Sequence, residues 1–114
     1  MRSLWRALGV AGAWGVLAAV VVLSVMPSPP SADFESSDKV GHLAAYGVLM
    51  LAFSLLYEKR RPLMAGAFIA LGIALEFVQG ALGYRSFEVA DMAANALGVL
   101  LGWLAAQPLA KLFR

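Results

Sequence analysis

Four long apolar runs divide the chain, at residues 4–25, 40–57, 63–82 and 89–106, and the breaks between them hold most of the charges and prolines. About 20 residues of helix suffice to cross a hydrocarbon core, so each run predicts one transmembrane helix. The apolar residues come in blocks, not in the one-faced rhythm of a surface helix. The breaks read Pro27-Ser28-Pro29-Pro30, Glu58-Lys59-Arg60-Arg61-Pro62 and Gly83-Tyr84-Arg85-Ser86. Each contains breakers or charges that end helices. Pro62 suits a first helical turn, where its missing N–H leaves nothing unpaired. The expected fold is all-α, a single membrane domain over 1–114 built as a bundle of four transmembrane helices.

Polar residues inside this pattern gather at one end of it. Asp38, Lys39 and His42 stand at the start of the second run, Glu76 and Gln79 near the end of the third, and Glu88, Asp91 and Asn95 at the start of the fourth. Basic residues mark the opposite end: Arg2 and Arg6, then Lys59, Arg60 and Arg61, then Lys111 and Arg114 make seven of the nine. The positive-inside rule assigns that end to the cytoplasm. Both termini are therefore expected inside, and the polar end outside, in a multi-pass protein of the inner (cytoplasmic) membrane. The first run begins like a signal peptide. It is longer than a typical signal core, however, and Val25-Met26-Pro27 offers no small-residue cleavage site, so a retained helix is expected.

Composition agrees. With 61% hydrophobic and 14% charged residues and a mean hydropathy of +0.78, the chain lacks the polar surface of a soluble domain. The net charge of +2 comes from the residues flanking the spans, and no nucleic-acid partner is expected. The absence of cysteine excludes disulfides, thiolate ligands and cysteine nucleophiles.

Counting turns places the polar residues by depth. His42 falls about 3–5 Å inside the outer boundary and Tyr46 roughly 10 Å, while Glu76 and Asn95 each lie about 9 Å deep. Gln79 and Asp91 sit one turn above these. A deeper layer of Tyr46, Glu76 and Asn95 and a shallower one of His42, Gln79 and Asp91 are expected, under a rim of Asp38, Lys39, Arg85 and Glu88. Within each helix the spacing is three or four, which puts the groups on one face. Such stripes escape lipid by facing one another, so a polar cleft among helices two, three and four is expected. Helix one brings no ionisable group to it and reads as packing and anchor. Gly98 and Gly102 form a small-xxx-small face on helix four, expected to pack within the monomer.

The chemistry open to this cluster is bounded. Glu76 is too deep to reach headgroups, so it must be protonated, paired or solvated; Arg85, Lys39 or Asn95 could pair with it. His42 can change charge near neutral pH, and Glu76, His42 and Asp91 are the candidates for proton transfer. Asp38, His42, Glu76 and Asp91 could also ligate zinc or manganese, although a single histidine without cysteine is a sparse donor set. Ser86 is the one loop serine near an Asp38–His42 dyad, which argues against serine-nucleophile chemistry. Lys39 and Arg85 either bind an anion or neutralise the carboxylates.

At these residues a family pattern emerges. Asp38-Lys39-Val40-Gly41-His42-Leu43-Ala44-Ala45-Tyr46 resembles the D-K-x-x-H-x-x-x-Y signature of VanZ-like membrane proteins. Glu76-Phe77-Val78-Gln79 followed by Tyr84-Arg85-Ser86 is similar to that family's E-x-x-Q and R segment, and Asp91 to Gly98 to its D-x-x-x-N-x-x-G segment. The resemblance covers about 33–107, with Glu88 as a local departure. It implies a bacterial envelope protein, and in the name-giving member a link to resistance against the glycopeptide teicoplanin. Membrane lipids, an envelope lipid-linked glycan or a glycopeptide are the partners it implies. Two alternatives stand beside it: an intramembrane enzyme acting on a lipid headgroup or lipid-linked sugar, with Glu76 as base and His42 as acid, and a small proton-coupled transporter. The one-sided polar groups count against transport, which needs a route from both faces.

Overall fold

The computed structural model describes residues 2–26, 35–82 and 89–112, the side chains of 2 and 35–38 excepted. It contains four α-helices, α1 (Arg2–Val25), α2 (Glu35–Leu56), α3 (Arg61–Leu82) and α4 (Val89–Leu112), with a 3-10 turn at Glu58–Arg60 ahead of α3. All four carry a stretch long and apolar enough to cross a membrane: Ser3–Val25, Lys39–Leu56, Glu58–Leu82 and Val89–Leu112. The bundle measures 46 × 24 × 22 Å, and its long axis matches the roughly 40–45 Å of a bilayer with its headgroup regions. Leu4, Trp5, Leu23, Leu63, Phe77 and Leu104 are more than half exposed, as lipid-facing side chains are.

Two helices outrun the apolar pattern. α2 begins at Glu35, because a polar turn can extend a span beyond the apolar boundary. α4 continues to Leu112 through Pro108, six residues beyond the end of the apolar run at 106. Proline removes one backbone bond, but membrane helices tolerate it where the surroundings hold the helix in place. Ala106 and Ala110, one turn apart, are buried beside it.

Close contact between α2 and α4 organises the bundle. Rising numbers on one meet rising numbers on the other: His42 meets Asn95, Gly47 meets Gly98, and Met50 and Leu51 meet Gly102. The two helices therefore run parallel, and α3 returns the chain between them. α1 lies against α2 and α3 and away from α4. Between helices in lipid, packing and hydrogen bonds replace the hydrophobic drive. On α4 the buried stripe reads Asp91, Asn95, Gly98, Val99, Gly102, Ala106, Ala110, polar at one end and small at the other. The small end lets the backbones touch, and as expected this glycine face packs inside the monomer.

Aromatic rings fill the other seam. Phe53 meets Trp14 edge-on at 5.3 Å, Phe68 edge-on at 5.2 Å and Tyr57 stacked at 5.9 Å, geometries that aromatic pairs prefer. Trp14, although half exposed, thus packs α1 onto α2 in mid-span.

Candidate functional site

The polar end is built from α2 and α4. Tyr46 on α2, Glu76 on α3, and Asp91 and Asn95 on α4 are almost fully buried. His42 sits between two successive turns of α4: Nδ1 is 2.9 Å from Asn95 Oδ1 and Nε2 is 3.8 Å from Asp91 Oδ2. Lys39, one turn above His42 and a third exposed, reaches Asp91 Oδ1 at 3.4 Å. Asp91 also occupies the first turn of α4, where backbone N–H groups favour negative charge. One carboxylate therefore serves a lysine, a histidine and a helix terminus.

One turn deeper, Gly72 makes room for the cluster. A Cβ there would lie 3.0 Å from Asn95 Nδ2 and 3.4 Å from the Tyr46 ring, so Tyr46 and Asn95 meet over this glycine. Glu76 is four residues on, on the same face of α3, within electrostatic reach of Tyr46. Sequence reasoning passed over Gly72, although its position four residues before Glu76 was a usable signal.

The His42 ring and the Asn95 side chain are within hydrogen-bond distance, with donor and acceptor set by the imidazole tautomer. The 3.8 Å between Nε2 and Asp91 Oδ2 is longer than a hydrogen bond.

Gln79 departs from the expected layer. Its Nε2 donates to the Ser24 backbone oxygen at 2.8 Å, one of the last-turn carbonyls that a helix leaves unpaired. Gln79 ties α3 to the end of α1, which takes part through its backbone. Gln79→Leu removes this bond at a cost of about 1 kcal/mol; a detergent melt should fall by a few degrees, and an unchanged melt would show the bond to be idle.

The side chain of Asp38, and Arg85, Ser86 and Glu88, lie outside the described residues. Among the described residues no three His, Asp or Glu side chains gather closely enough for a metal ion.

Four membrane-length helices around a buried polar cluster at one end define a multi-pass helical membrane protein. The VanZ/LLP1 family model matches residues 11–113, and the chain belongs to that family. The match takes in most of α1 as well as the three motif-bearing helices, a wider span than 33–107. The chain is also similar to the uncharacterised protein C11E3.10 of Schizosaccharomyces pombe, 35% identical over 100 residues and covering 78% of this chain. It spans 60% of that relative's length. No solved structure matches the chain.

Proposed function

We propose that this protein lies in the cytoplasmic membrane with both termini inside, and that its polar end binds the headgroup of an envelope lipid or lipid-linked glycan. The seating of His42 between Asp91 and Asn95 carries the reading. A polar network near the end of a membrane span is expensive in lipid, and a headgroup would supply it with polar partners. Lys39, partly exposed beside it, offers N–H donors to an anionic oxygen. The one-sided basic residues support the orientation. Similarity to a yeast protein favours a ligand common to bacterial and eukaryotic membranes over one confined to bacterial walls, and so weighs against teicoplanin resistance as the general role.

Native mass spectrometry of the purified protein with its co-isolated lipids tests this reading. A retained lipid or lipid-linked glycan is expected, lost in His42→Ala and kept in Glu76→Gln. Gln preserves a hydrogen bond at position 76 but cannot transfer a proton, so loss of a measured turnover in Glu76→Gln would favour the enzymatic alternative. No retained lipid, or the same set and number of retained lipids in His42→Ala as in the parent, would sink the proposal.

A further inference from the structure

The opposite end of the bundle carries an open, basic cavity that the polar site does not explain. Its volume is about 440 Å³ and its lining includes Arg6, Leu55, Leu56, Tyr57, Lys59 and Arg60, within the range of small-ligand sites. Arg6 is held at it twice. Nη1 donates to the Leu56 carbonyl at 3.2 Å, an unpaired last-turn acceptor of α2, and the guanidinium carbon lies 5.6 Å from the Tyr57 ring centroid, a cation–π distance. The other N–H groups of Arg6 have no partner among the described residues.

Positive charge is in surplus here. Glu58 also lines the cavity, but its carboxylate lies 3.9 Å from Arg61. Lys59 and Arg60 make no ion pair among the described residues. Glu58 is thus the one carboxylate among the residues that line the cavity, against Arg6, Lys59 and Arg60.

We infer that this cavity binds the phosphate headgroup of an anionic membrane lipid. Arginine's planar fork matches phosphate oxygens, and basic pockets between helices suit anionic lipid headgroups. The walls select lipid over free phosphate. Leu55, Leu56 and the Tyr57 ring make an apolar and amphipathic lining, and Leu4, Trp5 and Leu8 of the neighbouring helix are more than half exposed, a surface on which acyl chains can lie. The inference stands on this cavity and its charges, independently of the polar end.

The test uses the purified full chain in mild detergent, with phosphatidylglycerol or phosphatidylcholine added and retained lipid read by native mass spectrometry. Phosphatidylglycerol should be preferred, and Arg6→Gln should lower that preference about fivefold, the worth of one basic residue near an anionic surface. Leu55→Trp fills the cavity without changing charge and should lower it as well, which keeps the test sound if Arg6→Gln folds poorly. Lys111→Gln, at the same end outside the cavity lining, should leave it intact. Equal retention of the two lipids, or an unchanged preference in both Arg6→Gln and Leu55→Trp, overturns the inference. Displacement of phosphatidylglycerol by millimolar inorganic phosphate would overturn the choice of lipid.

Discussion

Gly98→Val is expected to unfold the bundle or cost about 3 kcal/mol or more, the upper range for overpacking. A Cβ at Gly98 would land on the Leu43 carbonyl oxygen and 3.1 Å from the Gly47 nitrogen. These are backbone atoms of α2, which cannot rotate away as a side chain can. At Gly102 the added carbon would meet the Gly47 carbonyl oxygen and lie 3.0 Å from Met50 Cβ. Relief requires α2 and α4 to separate, and their separation pulls His42 from Asn95. Gly66→Val is the control: nothing lies within 4 Å of its Cβ position, and it should stay within about 0.5 kcal/mol of the parent. SDS titration followed by tryptophan fluorescence reads both variants. A Gly98→Val protein as resistant as the parent would show that the seam gives way.

The same seam marks how far the amino-acid sequence speaks for itself. Apolar blocks located all four helices because membrane length is written directly in hydropathy. The ends blurred where the signal is local: Pro108 lies inside a helix that buried alanines continue. His42 and Asp91 were legible as one layer because four-residue spacing on two helices leaves lipid-averse groups one way to turn; Asn95 was expected one layer deeper, and His42 reaches it as well. Gln79 was not. Three residues on a helix advance about 300°, so Gln79 and Glu76 share a face loosely, and α3 borders α1 as well as the α2–α4 pair. Which neighbour Gln79 meets depends on where α1 ends, and its acceptor is a backbone oxygen that no residue type announces. Arg6 was legible as a topology signal only. Its bond to Leu56 depends on α1 and α2 running antiparallel at close range.

Asp91→Ala should show the second large effect. Removing one member of a buried ion pair costs about 3–5 kcal/mol, but Lys39 is one-third exposed and water screens part of its charge. About 2 kcal/mol is the better expectation. The loss includes the Lys39 contact at 3.4 Å, the His42 contact at 3.8 Å, and the negative charge in the first turn of α4. Asp91→Asn keeps the shape and an acceptor and should lose roughly half as much, because charge is what it gives up. Pairing Asp91→Ala with Lys39→Met separates the parts: if the ion pair dominates, the double variant falls well short of the sum of the singles. Should the losses simply add, the carboxylate acts mainly through His42 and the helix terminus. An Asp91→Ala protein as stable as the parent would refute the structural role altogether. A lipid lost from that stable variant would then assign Asp91 to the ligand and not to the fold.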